Sequence, residues 1–217
     1  MSLLSVLPEL LYPRKCILCG GLLHRNETDL CTDCRRETED FRKFQRKIPR
    51  IGDFTAVWYY EGSVRESLIR YKFYNRRCYA SAYGRLLALR VMEELESPDV
   101  ITWVPVSRRR RWKRGYDQVE LLAQAVSREL ELPAEKLLDK YRHNPAQSGL
   151  GTAEARRANV LGVYRPHKNA QIRGKRILLL DDILTTGATA SECARVLLTA
   201  GAEEIIFAAV AAGRNHE

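Results

Sequence analysis

The sequence has no long apolar run, and this excludes proteins built from membrane-spanning helices. Such a helix needs about 20 consecutive apolar residues, and no stretch of the 217 residues approaches that length. The leucine-rich opening, residues 1–12, has no Lys or Arg, is interrupted by Pro8 and Glu9, and is followed by no small-residue cleavage site. It therefore does not resemble a secretory signal. We expect a short amphipathic helix that docks on the rest of a cytoplasmic protein.

Two common nucleotide-binding signatures are also missing. No Gly-Lys-Ser/Thr sequence closes a phosphate-binding loop of the Walker type, and the glycines do not have the intervals of a dinucleotide-binding turn. Internal repeats and low-complexity tracts are absent as well. The length then predicts one full domain with a small appendage.

Acidic residues are fewer than basic ones. The chain has 36 Lys and Arg against 27 Asp and Glu, a formal net charge of +9. This excess favours anionic partners such as phosphates, nucleotides or nucleic acid. Because many cytoplasmic proteins are mildly basic, the position of the charge matters more than its sum.

Cysteine is scarce outside one short segment. Four of the six cysteines form two C-x-x-C pairs, at residues 16–19 and 31–34. Two tight turns that each present two thiolates match the tetrahedral shell of a structural zinc ion. Two disulfides are the alternative, and His24 could replace one thiolate. Cys78 and Cys193 stand alone, and we expect both to be buried. The predicted zinc ligands are Cys16, Cys19, Cys31 and Cys34.

Strands and helices alternate along the rest of the chain. Continuously apolar strands between helices indicate an α/β fold with a parallel sheet covered on both faces. We predict a zinc module at residues 1–48 and the main domain at 49–217. Residues 35–50 are expected to be a solvated helix or linker, and residues 141–171 a long loop with short structured parts. Predicted strands cover residues 54–62, 100–106, 176–182 and 203–213, and predicted helices cover 63–73, 83–95, 116–130 and 188–201.

The stretch ILLLDDILTTGAT, residues 177–189, predicts a ligand site. Asp181 and Asp182 follow a buried strand, and ligands of open parallel sheets gather at the carboxyl ends of strands. The next turn leads into a helix, so its amide groups and hydroxyls can hold a phosphate. A ribose 5-phosphate fits this arrangement, with hydroxyls or a magnesium ion at the acids. The alternative is an ordinary Asp-rich turn with a Thr helix cap. The predicted phosphate cradle is Thr185, Thr186, Gly187, Ala188 and Thr189.

These residues resemble the phosphoribosyl-pyrophosphate (PRPP) motif of the type I phosphoribosyltransferases. The resemblance extends over about residues 54–213, most of the chain. Joined to the C-x-x-C pairs, it is similar to the ComF family. Two further stretches match landmarks of that family: VPVSRRRRWKRGYDQ, residues 104–118, and QSGLGTAEARRANVLGVY, residues 147–164.

The resemblance implies a type I phosphoribosyltransferase fold and a role for each part of the site. Asp181 and Asp182 would hold the ribose hydroxyls and serve the reaction, and the main chain of residues 185–189 would hold the 5-phosphate. Residues 107–114 would form the pyrophosphate turn, residues 142–159 a flexible lid, and Mg²⁺ would bridge pyrophosphate and ribose oxygens. The further residues carried over are Ser107 and Arg114 for PRPP, and Gln147, Arg156 and Asn159 for the lid.

The sequence supports either catalysis or binding alone at this site. The resemblance implies displacement of pyrophosphate at the anomeric carbon, helped by nearby carboxylates and a closed lid. No segment clearly recognises a nucleobase as the acceptor. Five aromatic residues either line a hood over the site or belong to the core: Trp58, Tyr59, Tyr60, Tyr71 and Tyr74.

A basic cluster follows the second predicted strand. Six cations surround Trp112 within seven residues, more than a pyrophosphate needs. Cations with an interleaved aromatic suit single-stranded nucleic acid, because they hold phosphates while a base stacks on the indole. The alternative is a solvated loop with Trp112 packed underneath. The candidate contacts are Arg108, Arg109, Arg110, Arg111, Trp112 and Lys113.

Two hypotheses follow. In the first, which the family resemblance favours, the chain is a cytoplasmic competence-type protein that acts in DNA uptake for transformation. It would use a PRPP site as sensor or catalyst and contact single-stranded DNA and competence proteins such as a DNA-uptake helicase. In the second, it is a stand-alone phosphoribosyltransferase that transfers ribose 5-phosphate from PRPP to an amine or nucleobase.

Overall fold

The computed structural model describes residues 13–43, 47–142 and 160–214. Across these ranges no helix combines the length and the apolar character needed to cross a bilayer. Two expectations fall outside the described residues: the helix of residues 1–12, and the lid residues Gln147, Arg156 and Asn159.

Strands and helices alternate as the sequence predicts, and each strand and helix predicted between residues 54 and 213 is present within a few residues of its expected bounds. The helices are α1 (Thr32–Glu37), α2 (Gly62–Phe73), α3 (Tyr79–Glu94), α4 (Arg108–Arg114), α5 (Gln118–Leu130) and α6 (Ala188–Thr199). The strands are β1 (Phe54–Tyr59), β2 (Val100–Trp103), β3 (Leu138–Lys140), β4 (Tyr164–Pro166), β5 (Arg176–Leu184) and β6 (Glu204–Ala212).

The main sheet of the described chain is parallel, in the order β1-β6-β5-β2. Its inner strands are apolar almost throughout because both faces are covered. Helices α2, α3 and α5 pack on one face, and α6 with Phe41 and Ile48 packs on the other. The predicted parallel α/β fold is confirmed, and its topology places the carboxyl ends of β2 and β5 side by side.

One segment is more ordered than expected. Residues 35–50 are not only a solvated linker, because Phe41 and Ile48 are buried in the core. The ring of Phe41 lies 5.5 Å from that of Tyr59. The burial was not predicted, since few apolar positions mark this charged segment. Residues 141–171 were expected to contain short structured parts, and β4 is one of them: it pairs antiparallel with β3 and brings Lys140 opposite Tyr164.

The basic cluster forms helix α4 instead of a loop. Ser107 caps the helix by accepting a hydrogen bond from the Arg110 amide at 3.4 Å. Gly115 ends it with φ of 76°, a left-handed conformation that glycine adopts easily. Cysteine burial was predicted half correctly: Cys193 is buried, whereas Cys78 is exposed.

Candidate functional site

A cavity of about 400 Å³ opens at the carboxyl end of β5. Its walls come from the end of β5, the start of α6, the loop after β2, and parts of α2, α4 and β3. The residues predicted from the 177–189 motif therefore meet side chains from distant parts of the chain. Of the predicted phosphate cradle, Thr185, Gly187, Ala188 and Thr189 line this cavity, and Thr186 lines a smaller neighbouring one.

The two adjacent acids face opposite sides of the sheet. Successive side chains of a strand alternate between its faces, and along β5 Leu180 packs with α2, α3 and α5 whereas Leu179 packs with α6. Asp182 accordingly contacts residues of α2 and α5. Asp181 lies on the side of Lys140, Tyr164 and Cys193, whose pKa values it influences.

Asp182 is buried and has a partner at each oxygen. Lys72 Nζ lies 2.9 Å from Oδ1, and Gln118 donates a hydrogen bond from Nε2 to Oδ2 at 2.9 Å. Burial alone would raise the pKa of this carboxyl, but Lys72 and Gln118 outweigh burial and lower the pKa below its ordinary value. Asp182 is therefore a fixed anion.

Asp181 has a different electrostatic environment. Its Oδ1 accepts a hydrogen bond from the Asp182 amide at 2.8 Å. Burial, and then repulsion from the Asp182 carboxylate, raise the pKa of Asp181 to about 8, although Lys72 opposes the shift. Near neutral pH, Asp181 keeps a proton that a cationic ligand would displace.

The turn before α6 packs closely against Ile48. Gly187 has φ of 77°, and a Cβ placed there would lie 3.0 Å from Ile48 Cγ2. The amide of Ala188, the first residue of α6, is 3.4 Å from the Thr186 hydroxyl that accepts its hydrogen bond. Amides at the start of a helix point outward and favour an anion, so this turn can hold a phosphate.

Cations surround the same cavity. Within the described chain, Lys72, Arg110, Arg114 and Lys140 line it. Burial, and then the charge of Arg110, lower the pKa of Lys140 to about 8. Lys72 and Lys140 were not predicted, because neither lies in a recognisable motif. Arg110 was expected both within the pyrophosphate turn of residues 107–114 and as a nucleic-acid contact, and it lines the cavity.

The remaining predicted site residues separate into distinct environments. Arg114 lines the cavity and lies 4.9 Å from the centre of the Phe73 ring. Ser107 is buried as the cap of α4. Of the five aromatics considered for a hood, Tyr60 lines the cavity and Tyr74 is exposed, and the other three belong to the core: Trp58, Tyr59 and Tyr71.

Helix α4 divides its cations between two surfaces. Arg110 and Arg114 are half-buried at the cavity, whereas Arg108, Arg109 and Lys113 are exposed. The Trp112 side chain is 88% exposed, so the interpretation that it packs beneath the loop is wrong. An exposed indole among cations can stack on a base while the cations contact phosphates.

The four N-terminal cysteines form a metal centre. Their Sγ atoms all lie within 4.8 Å of one another, and all four cysteines are free thiols. Zinc–sulfur bonds of about 2.3 Å in a tetrahedron separate the sulfurs by about 3.8 Å, and Cys19 Sγ is 3.8 Å from Cys31 Sγ. The residues therefore fit structural zinc and not two disulfides. His24 is outside the cluster.

The first zinc knuckle, residues 16–19, packs directly on α2. The Ser67 hydroxyl donates a hydrogen bond to the Ile17 carbonyl, and Arg70 donates hydrogen bonds to the carbonyls of Ile17 and Leu18. Ile17 and Leu18 are buried in the same hydrophobic cluster as α2 and α3. The metal centre is thus part of the scaffold that carries the cavity.

Comparison with known proteins agrees with both parts of the molecule. Residues 120–217 match the phosphoribosyl transferase domain family, and residues 7–44 match the double zinc ribbon domain family. Competence protein F of Haemophilus influenzae is 30% identical over 216 residues, covering 88% of this chain and 93% of that protein. A DNA utilization protein YhgH of Escherichia coli is 35% identical over 200 residues, covering 88% and 86%. Competence protein ComFC of Streptococcus pneumoniae is 26% identical over 226 residues, covering 88% and 96%.

These matches cover most of each relative, and the fold and the four-cysteine cluster agree with them. The chain belongs to the ComF family, in which a phosphoribosyltransferase-type α/β domain is joined to an N-terminal zinc ribbon.

Proposed function

We propose that this protein binds PRPP with Mg²⁺ in the cavity at the end of β5 and acts in the uptake or use of DNA, as the names of its relatives indicate. The observation that carries the proposal is the convergence on one cavity of a helix N-terminal turn, two acids and four described cations. PRPP offers the matching groups: a terminal phosphate, ribose hydroxyls and a pyrophosphate.

Each part of the ligand has proposed contacts. The turn of residues 185–189 holds the 5-phosphate, the Asp181–Asp182 pair lies at the ribose, and Arg110, Arg114 and Lys140 face the pyrophosphate. Mg²⁺, when bound with the ligand, would neutralise pyrophosphate charge, with the Asp181 carboxylate as its proposed oxygen donor. The lid proposed from the family resemblance remains Gln147, Arg156 and Asn159.

Calorimetric titration with magnesium PRPP tests this site. Asp181→Asn combined with Asp182→Asn should abolish the binding heat, because the change neutralises the acid pair at the ribose position. Asp139→Asn, which removes a partly buried carboxylate paired with Lys136 and His167 outside the cavity lining, is the matched control and should bind normally. Absent heat from the wild type, or undiminished heat from the double variant, contradicts the proposal.

Transferase activity is a second candidate, favoured by the cations around the proposed pyrophosphate position. They stabilise the charge that a leaving pyrophosphate gains, while Tyr60, Ile69 and Phe73 form the adjacent wall where an acceptor would lie. Pyrophosphate release from PRPP across a panel of amines and nucleobases tests turnover. Release that needs an acceptor and Asp181 supports an enzyme, whereas binding without release supports a sensor.

The exposed face of α4 is the proposed contact for single-stranded DNA. We define the α4 face as Arg108, Arg109, Arg111, Trp112 and Lys113, with the indole as stacking platform. Competence proteins such as a DNA-uptake helicase are the proposed protein partners on the same pathway of DNA handling.

Oligonucleotide binding as a function of salt tests the α4 face. Neutralising Arg108, Arg109 and Lys113 to Gln should reduce the slope of log affinity against log salt by about 2, and Trp112→Ala should weaken binding about tenfold. The control neutralises three exposed cations elsewhere, Lys136, Lys168 and Arg173. Equal effects of the two triple variants would show that only net charge matters.

A further inference from the structure

Lys72 lies more than a hundred positions before the motif acids, yet α2 brings it into ion-pair contact with Asp182. We propose that Lys72 is a positioning residue of the sugar-phosphate site. It fixes Asp182 as a structural anion between α2 and α5, so that Asp181 becomes the carboxyl that meets the ribose. This inference rests on the proposed function, and it assigns different roles to Asp181 and Asp182.

The contact geometry leaves Asp182 little freedom. Lys72 Nζ holds one carboxylate oxygen and Gln118 Nε2 holds the other, both at 2.9 Å. The side chains of Lys72 and Asp182 are 17% and 7% exposed. A buried carboxylate needs such partners, because removing either one leaves an uncompensated charge.

Lys72 and Gln118 are themselves fixed to each other. Tyr71, next to Lys72 on α2, donates a hydrogen bond from its hydroxyl to the Gln118 carbonyl at 2.5 Å. Tyr116 in turn donates a hydrogen bond to the Tyr71 carbonyl. The two partners of Asp182 therefore belong to one hydrogen-bonded network that joins α2 to the start of α5.

Asp181 has no ion-pair contact with any residue that the structure describes. Its hydrogen bond runs to the adjacent Asp182 amide, and it lies on the opposite side of β5 towards Lys140 and Tyr164. Such a carboxyl can give up its proton to meet a ribose hydroxyl or Mg²⁺ at lower cost than the Asp182 carboxylate can give up Lys72. Other charges that face the pair are Arg114 and Asp117.

A double-mutant cycle tests the assignment. The proteins are wild type, Lys72→Met, Asp182→Asn and the double variant, with Lys72→Arg as the conservative change. Lys175→Met is the matched control, since Lys175 is a partly buried lysine that pairs with Glu135 just before β5, at the far end of the strand. The neutral double variant guards against failure of Lys72→Met to fold.

Two measurements are made on each protein. Urea unfolding without ligand should show coupling between positions 72 and 182, because their pair is buried. Titration with magnesium PRPP should show about tenfold weaker binding for Lys72→Met, because Asp181 then loses the fixed Asp182 beside it that supports its position. The double variant should bind no more weakly than Asp182→Asn, and Lys72→Arg should recover most of the affinity.

The outcomes separate the two proposals. If the losses of PRPP affinity from the two single changes add in the double variant, Lys72 contacts the ligand directly. If the changes in unfolding free energy also add, the Lys72–Asp182 pair does not contribute to stability. Either result overturns the positioning role. A wild type that binds no PRPP would instead overturn the proposed function, while the ligand-free cycle still reports on the Lys72–Asp182 pair.

Discussion

Two identical residues side by side, Asp181 and Asp182, have opposite protonation behaviour. Strand alternation turns them to different faces, where Asp182 meets Lys72 and Gln118. The pKa of Asp181 is raised mainly by burial and then by the neighbouring Asp182 carboxylate. Their electrostatics thus depend on residues more than sixty positions away.

Asp181 should make folding stability fall as pH rises. Its pKa rises from an ordinary 3.8 to about 8 on folding, so between these pH values the folded state binds the proton more tightly than the unfolded chain. Unfolding free energy must then decrease from about pH 4 to pH 8 through this group. Asp181→Asn removes that loss and should be more stable than wild type at pH 9, by at most about 6 kcal/mol because each pKa unit corresponds to about 1.4 kcal/mol, while the two are similar near pH 4, by urea unfolding.

The matched control for this pH effect is Asp139→Asn. Lys136 and His167 outweigh burial and lower the pKa of Asp139, so its charged form supports folding above pH 4 and its removal should destabilise the protein at pH 9. Equal pH profiles for wild type and Asp181→Asn would contradict the raised pKa of Asp181.

Gly187 offers a second prediction at this scale, with Gly174 as its control. Both have positive φ, 77° and 69°, but a Cβ at Gly187 meets Ile48 whereas one at Gly174 meets nothing within 4 Å. Gly174→Ala should cost about 1 kcal/mol of stability and leave PRPP binding unchanged. Gly187→Ala should cost more and weaken PRPP binding at least tenfold by calorimetry. Similar PRPP affinities for the two variants would contradict the assignment of Gly187 to the PRPP site.

Among the elements, α2 connects the metal centre to the cavity. Ser67 and Arg70 hold carbonyls of the zinc knuckle, and Tyr71 and Lys72 hold Gln118 and Asp182. All four residues fall within two turns of one helix. We therefore expect a disturbance at the knuckle to be felt at the acids through α2.

Ser67→Ala should loosen this connection. The change removes the hydrogen bond to the Ile17 carbonyl and the partner of the Tyr83 hydroxyl, 2.6 Å away. Both groups are buried, so we expect a loss of about 2 kcal/mol in unfolding free energy. Zinc retention against a competing chelator should also fall several-fold. The control is Ser191→Ala on α6, whose hydroxyl accepts a hydrogen bond from Arg50 at 3.3 Å.

The elements also show where sequence patterns succeed. Strands β5 and β6 were predictable because a central parallel strand is apolar on both faces. Helix α4 was not, since a run of cations has no apolar periodicity. The β3–β4 pairing could not be specified beyond short structured parts of a loop, because its strands have three residues each, too few for a pattern.

For the whole molecule, zinc should stabilise more than its own segment. Cys16 is buried in the same hydrophobic cluster as α2 and α3, so removing the metal exposes apolar surface shared with the main domain. Treatment with a zinc chelator should lower Tm by about 10 °C and speed amide exchange in α2. PRPP affinity should fall as well. Restoration by Zn²⁺ but not by Mg²⁺ identifies the ion, and an unchanged Tm would contradict the structural role.

The sequence by itself determined the features that depend on short spacings. The C-x-x-C pairs specify a four-thiolate centre, and an apolar strand followed by acids, threonines and glycine predicts the turn that we propose for phosphate, because each is formed by neighbours along the chain. Only the tertiary structure decided what these groups face. Lys72 and Lys140 reach the acids by the packing of α2 and β3 around β5, and such contacts between distant segments have no local spacing to reveal them.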